Sequence, residues 1–267
     1  MENQKAIVLY SGGLDSQLVA KILKEKKLNV FCVYFKLPFI KDNSSEIRKF
    51  CKKQKCKLKI FDCTKAKLFK EYLKILKKPK FGRGKGANPC IDCKIFMFKK
   101  TKKFADKKKI KIIASGEILG QRPMSQTAKS LKIIDKEIGF KVYRVLEEFG
   151  IYGRQRKKQM QLAKKYFFKH AQPSGGCLLC EKILAKKFKT LFENNLLNEK
   201  NFELSKIGRH FFIKKIWFVV GRNEKENKII EKFKNSLKSS RGKPAVYYNL
   251  VKGKTSAEKL QQAYSKN

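Results

Sequence analysis

The sequence predicts an α/β fold: a parallel-sheet domain followed by a small α+β domain. Three observations carry this. From Lys5 to Ser115, apolar runs of strand length alternate with amphipathic runs of helix length. A glycine turn, Ser11-Gly12-Gly13-Leu14-Asp15-Ser16, stands between the first strand and the first helix. From about Lys182 the text changes to short β-type runs. Strands separated by helices imply βαβ units, right-handed crossovers and a parallel sheet. Ligands of such sheets bind beyond the carboxyl ends of the strands. The expected domains are 1–181 and 182–267.

The elements follow in order. Ala6 to Tyr10 is a strand, Asp15 to Lys26 a helix and Val30 to Phe35 a strand. Asn43 caps the next helix, with Glu46 at its third position, and that helix runs to about Lys55. Leu58 to Phe61 precedes a helix from Lys65 to about Leu76, with Leu68, Phe69, Tyr72, Leu73 and Leu76 on one face. Lys77 to Pro89 is basic and glycine-rich, with Pro79 and Pro89 near its ends, so it is irregular. A mobile basic flap is expected there, gripping RNA phosphate through Arg83 and Lys85. Ile91 to Lys107 reads as a helix and Ile110 to Ala114 as a strand. Ile133 to Gly139 reads as a turn region and Val142 to Leu146 as a further strand. A helix opens at Arg154 and continues to about Phe167, with Met160, Leu162, Ala163 and Tyr166 mostly in the core. Pro173-Ser174-Gly175-Gly176 ends that segment. Beyond it, Ile183 to Phe192 is helical. Phe202 to Ile207, His210 to Phe212, Ile216 to Val220 and Ala245 to Tyr248 are β-type, with a helix around Glu226 to Leu237.

Charge points to a partner. Lys and Arg number 66 against 22 acidic residues, a net charge of +44. Such a field attracts polyanions and releases their counterions. A lysine bias alone would bring Glu with it, and here acids are scarce. RNA is the favoured partner. The 42% hydrophobic content fills a core and excludes wholesale disorder. No apolar run approaches the roughly 20 residues of a membrane span. The first strand begins almost at once, leaving no room for a signal peptide, so a cytoplasmic location is expected.

The glycine turn suits a phosphate. A strand running into a turn that opens a helix aims backbone N–H groups and the positive end of the helix dipole at one spot. Gly12 and Gly13 let the anion approach, Ser11 and Ser16 add hydroxyl donors, and Asp15 is an acceptor for Mg²⁺ on the phosphate. A Walker A loop would carry Lys before its final Ser or Thr, and this turn does not. Ser115-Gly116-Glu117 ends another strand and should line the same crevice. Gly116 would border the nucleotide. Glu117 is an acid/base group, a metal ligand or a capping carboxylate.

Eight cysteines occur. Cys32 reads as a small core residue, and Cys51, Cys56 and Cys63 have no informative spacing. Cys90/Cys93 and Cys177/Cys180 are two CxxC pairs, a spacing that signals metal or redox chemistry. Cys90 and Cys93 stand at a helix start, where the dipole favours thiolates. A four-thiolate zinc site, a redox dithiol and an iron–sulfur cluster all fit the pattern.

Five stretches in order, Ser11 to Ser16, Pro89 to Lys94, Ser115 to Gln126, Gly153 to Gln159 and Pro173 to Leu179, together resemble the PP-loop ATP pyrophosphatases related to the tRNA thiouridine synthetases. These include the 2-thiouridylase and 4-thiouridine synthetase groups. The resemblance implies an adenine nucleotide alpha hydrolase-like domain that cleaves ATP between the α and β phosphates. It implies an ATP-dependent tRNA uridine sulfurtransferase, fed by sulfide or a persulfide carrier. By pattern, Cys93 and Cys177 would handle sulfur, with Asp15 and Glu117 completing the catalytic set. In iron–sulfur relatives a CxxC and one distant Cys hold a [4Fe–4S] cluster, which maps to Cys90, Cys93 and Cys177. Cys180 departs from that pattern, and as a fourth ligand it would close the site, as Zn²⁺ would. Arg122, Arg154 and Arg156 are further candidates for tRNA phosphates. Gly208 to Phe211 and Val219 to Asn227 resemble the RNA-binding domain of NFACT-type proteins, with Arg209, His210, Arg222 and Asn223 as its polar surface. The competing expectations are a zinc-stapled PP-loop ligase or amidotransferase acting on a small substrate, and a non-enzymatic RNA-binding protein. Nothing in the sequence indicates an oligomeric state.

Overall fold

The computed structural model describes residues 4–168 and 176–265. The chain divides into two compact units, Met1–Lys182 and Ile183–Asn267. The first contains β1 (Lys5–Leu9), α1 (Leu14–Glu25), β2 (Asn29–Lys36), α2 (Ser44–Lys53), β3 (Lys57–Asp62), α3 (Ala66–Lys77), α4 (Cys90–Lys107), β4 (Ile112–Ser115), α5 (Ala128–Ile138) and α6 (Lys157–Lys165). Its strands form a parallel sheet in the order β3-β2-β1-β4. Ala6, Ile7 and Val8 of β1 are fully buried, as is expected of a central parallel strand covered on both faces. On α1, Leu14, Leu18, Val19, Ile22 and Leu23 recur at helical spacing and pack into that core.

Register places the site. Leu9 pairs with Val33 on one side and with Ser115 on the other. The chain after β1 and the chain after β4 therefore leave the sheet side by side. Ser11–Ser16 and Gly116–Glu117 are neighbours for that reason.

The second unit contains α7 (Ala185–Glu193), β5 (Arg209–Ile213), β6 (Ile216–Val220), α8 (Glu224–Ile230), β7 (Ser236–Leu237), β8 (Val246–Tyr248) and α9 (Lys254–Ala263). Its strands form an antiparallel sheet in the order β5-β6-β8-β7. Ile216, Phe218, Val220, Val246, Tyr248 and Ala257 make its core.

Several expectations are corrected. Residues 128–138 are helical, where Ile133 to Gly139 read as a turn. Thr127 caps that helix by accepting from the Ser130 N–H, and Gly139 ends it in the left-handed region at φ 76°. Val142 to Leu146 is not a strand: Tyr143 alone bridges to Ala114, and a 3-10 turn over Val145–Phe149 follows. Asn43 stands at the start of α2 but makes no side-chain cap, because its amide donates to the Ser11 carbonyl at 3.0 Å. On α6, Met160 is exposed, and Gln159 and Ala163 take the buried positions. Phe202–Lys206 is a 3-10 helix, and the helix expected to reach Leu237 ends at Ile230. The helix α9 has no counterpart in the sequence reading. The turn at Pro173 to Gly175 lies outside the described residues.

Candidate active site

Between β1 and α1 the chain makes the turn that the motif requires. Gly12 takes φ 85°, which costs a glycine little, and a β-carbon there would stand 2.6 Å from the Asn43 amide nitrogen. The Gly13 N–H donates to Ser11 Oγ at 3.3 Å, and Ser16 Oγ donates to the Gly13 carbonyl at 2.8 Å. Ser11 Oγ is 3.4 Å from Ser16 Oγ. Both expected hydroxyls therefore face one small volume at the start of α1. Asp15 accepts from Gln121 Nε2 at 3.1 Å through Oδ2, while its Oδ1 is buried with no partner. Burial pushes the Asp15 carboxyl above the usual range, against the opposing influence of Gln121, Arg156 and Arg122. An orphaned carboxylate oxygen beside a phosphate cradle fits a bound Mg²⁺.

The two CxxC pairs come together. Gly86 lies against Leu179 and Cys180: a β-carbon on it would be 2.2 Å from the Leu179 carbonyl oxygen. The Ala87 N–H donates to that same oxygen at 2.8 Å. The loop before Cys90 is thereby tied to the turn that carries Cys180. The neighbouring Cys180 and then burial push the Cys90 thiol up, while Asn88 Nδ2 donates to its sulfur at 3.0 Å. The neighbouring Cys177 pushes the Cys180 thiol up to about 11. Cys93 stands 3.4 Å from the Tyr72 hydroxyl, and burial pushes its thiol up to about 12. The expected thiolates at the helix start are thus outweighed by burial and by neighbouring thiols. Among the described residues, no set of three or more His, Cys, Asp or Glu side chains is arranged to hold a metal ion. The structure gathers Cys90, Cys93, Cys177 and Cys180 without setting them around one point. Their donor chemistry, four soft sulfurs on two tied loops, fits an iron–sulfur cluster or zinc.

Glu117 joins the two halves of the site. It is 4% exposed and is held between Lys94 and Arg144, the latter at 3.2 Å. Arg144 makes a bidentate pair with Asp135 of α5 at 2.9 Å. Lys94 follows Cys93 on α4, so the residue next to the phosphate loop in space is ionically bound to the cysteine helix. Glu117 is engaged by Lys94, Arg144 and Ser115 as the centre of that network. Gly116 packs on Asp15 and Ser16.

The sequence of the first unit supplies the family. The family model described as Thiamine biosynthesis protein (ThiI) matches residues 2–166. The chain belongs to the ThiI family. No curated protein matches it. Among solved structures, the ThiI-family chain is similar to a predicted subunit of tRNA methyltransferase from Methanocaldococcus jannaschii. The identity is 19%, over 69% of this chain and 88% of that one, with a TM-score of 0.43. It is also similar to a 4-thiouridine synthetase in complex with RNA and ATP. There the identity is 20%, over 74% of this chain and 53% of that one, with a TM-score of 0.48.

The remaining candidates of this ThiI-family chain divide. Arg122 and Arg156 act electrostatically on Asp15, and Arg122 acts on Cys180 as well. Lys85 and Arg154 are exposed. Arg83 is not a free phosphate hook: it donates to the Ala87 carbonyl at 2.9 Å and to those of Leu76 and Lys77. Those bonds and the burial of 86–89 pin the second half of the expected flap. In the second unit Arg209 is exposed over the Tyr264 ring, and Arg222 is paired with Glu226 at 2.5 Å. His210 accepts from Trp217 Nε1 at 3.0 Å and donates to the Ile207 carbonyl, so it holds no free face for a metal. The sequence reading missed Asn43, Gln121, Lys94 and Arg144. Only Lys94 and Gln121 had a signal, their places in the stretches Pro89 to Lys94 and Ser115 to Gln126. No helix among the described residues is long and apolar enough to cross a membrane.

Proposed function

We propose that the chain is an ATP-dependent tRNA sulfurtransferase that adenylates a uridine carbonyl oxygen and replaces it with sulfur. The observation that carries this reading is the ion pair between Glu117, whose neighbour Gly116 packs on the phosphate loop, and Lys94, which follows Cys93 on α4. A nucleotide on the loop and sulfur on the cysteines would share one crevice. Membership of the ThiI family and the +44 net charge support the same reading.

Each group then has a task. The N–H groups of Gly12, Gly13 and the first turn of α1, with Ser11 and Ser16, hold the pyrophosphate. Asp15 would hold Mg²⁺, which would neutralise phosphate charge. The uridine oxygen attacks the α-phosphorus; an O–P bond forms and the bond to pyrophosphate breaks. Unactivated, that carbonyl oxygen is a poor leaving group. Once it is adenylated, a sulfur nucleophile adds at carbon and AMP departs with the original oxygen. Cys93 and Cys177 present the sulfur. A [4Fe–4S] cluster held by Cys90, Cys93 and Cys177 would supply bound sulfide. Arg122, Arg154 and Arg156, with Lys85, grip tRNA phosphates around a base splayed out of its loop. The second domain, through Arg209 and Arg222, adds further electrostatic grip.

A second reading has its own support. The loop before Cys90 is tied to the turn that carries Cys180 through the Ala87 N–H and the Leu179 carbonyl, which favours a closed four-thiolate zinc staple. The chain would then be a PP-loop ligase acting on a small substrate. Nucleoside analysis of tRNA from a strain lacking the gene separates the two. The proposal predicts loss of one thiolated uridine, and an unchanged thionucleoside profile would refute it.

A further inference from the structure

Three cysteines that the proposed reaction does not use meet in the core of the first unit. Cys32 lies in β2, Cys51 in α2 and Cys56 just before β3, and all three are buried. Cys32, Cys51 and Cys56 belong to one buried cluster, and the neighbouring thiols and burial push the Cys32 thiol up. Tyr10 closes over them, and its hydroxyl is buried with no partner.

The backbone explains why Cys51 and Cys56 meet. Lys55 takes the left-handed conformation at φ 50°. The Cys56 N–H donates to the Cys51 carbonyl at 2.9 Å, and the Lys55 N–H to the Lys52 carbonyl at 3.2 Å. This pair of bonds is a Schellman motif, which lays the side chain beyond the turn onto one in the last helical turn. In most proteins that contact is apolar; here both partners are thiols. The turn brings the backbone of the two residues into direct hydrogen-bond contact, and a disulfide needs Cα atoms about 4.4–6.8 Å apart.

We propose that Cys51 and Cys56 form a thiol–disulfide site that a hydroperoxide closes. One thiolate attacks a peroxide oxygen, the O–O bond breaks, and a sulfenic acid forms with release of water or an alcohol. The second thiol attacks that sulfur, the S–S bond forms and water leaves. Two electrons and two protons pass from the pair to the peroxide. Interaction with Cys32 holds the Cys51 and Cys56 thiols below their ordinary range, while Cys32 itself is pushed up. The site lies at one end of α2. At the other end Asn43 holds the Ser11 carbonyl, and Ile47 would be 3.3 Å from a β-carbon on Gly12. The oxidised bond would therefore clamp the helix that supports the phosphate loop. This inference is independent of the sulfur-transfer reading.

The test exposes the full-length folded protein to hydrogen peroxide, with Cys90, Cys93, Cys177 and Cys180 replaced by Ser to silence the other cluster. The product is alkylated after unfolding and mapped without reduction by mass spectrometry. The expected product is lighter by two hydrogens, with 51 and 56 joined and Cys32 alkylated. Cys51→Ala or Cys56→Ala abolishes the cross-link, and Cys32→Ala leaves it in place. If the fourfold variant fails to fold, the same mapping on the wild-type chain gives the answer. A bond from Cys32 to either partner, free thiols at both 51 and 56, or sulfinic acid without a cross-link would overturn the proposal.

Discussion

Gly116 packs so closely on the first turn of α1 that a β-carbon would stand 2.8 Å from the carbonyl carbon of Asp15. The segment Ser115-Gly116-Glu117 thus touches the phosphate loop with one residue and grips the cysteine helix with the next. Gly116→Ala should force these elements apart. Overpacking of this kind costs about 1–3 kcal/mol. The expected outcome is a chemical-denaturation midpoint lowered to match, with weakened ATP binding by calorimetry. Unchanged values for both would show that the loop tolerates displacement.

Glu117 and Arg144 are each almost fully buried, with side chains 5% and 6% exposed. Removing one partner of such a pair strands the other, at a cost of about 3–5 kcal/mol. Arg144→Met should therefore destabilise the first unit strongly. Pairing it with Glu117→Gln should cost less than the sum of the two single losses, because the Arg144–Glu117 interaction is counted in both. A double-mutant cycle in urea checks this. Purely additive losses would mean that the two side chains do not interact.

The thiol cluster makes a prediction about which cysteines matter. After anaerobic reconstitution with iron and sulfide, Cys90→Ala, Cys93→Ala and Cys177→Ala should each lose bound iron and the brown chromophore. Cys180→Ala should retain both if the three-cysteine cluster is right. Equal loss in all four variants would favour the closed site, and zinc in place of iron would favour the staple. Metal analysis with a visible spectrum reads the result.

His210 sets a pH dependence for the second unit. Burial, with Lys187 nearby, pushes its pKa from 6.5 down to about 3. Between these values the unfolded chain carries a proton that the folded chain does not. Stability from His210 is therefore complete above about pH 6.5 and falls as the pH drops toward 3, by up to about 1.4 kcal/mol per unit. Thermal melts of the wild type and His210→Gln across that window should diverge in slope. Parallel profiles would show that His210 is protonated in the fold.

The parallel sheet was legible because its strands are apolar runs such as Ala6–Leu9, buried on both faces, and because the helices between them carry a clear apolar stripe. The helix α5 was not, although its caps Thr127 and Gly139 stand in the sequence, because its buried face is short: Ser130, Leu131 and Ile134. Ser11, Asp15 and Ser16 could be named from local spacing, since a turn between strand and helix is a local object. Arg144 and Asn43 could not, since each acts across the sheet on a residue 27 or 32 positions away. Cys51 and Cys56 looked uninformative for a similar reason: Cys32, which shares their cluster, comes from another strand. Arg83 was assigned to RNA from its charge, and only the fold reveals the carbonyls that occupy it.

The central claim is that ATP cleavage and sulfur insertion happen on one tRNA base in one crevice. Its most direct measurement combines the anaerobically prepared protein, tRNA, ATP with Mg²⁺ and sulfide, then quantifies thiolated nucleosides, AMP and pyrophosphate by mass spectrometry. The account predicts one AMP and one pyrophosphate per thiouridine formed, with all three products lost in Asp15→Ala and thiouridine alone lost in Cys93→Ala or Cys177→Ala. AMP released with no thiolated nucleoside from the wild-type, cluster-loaded protein would contradict it.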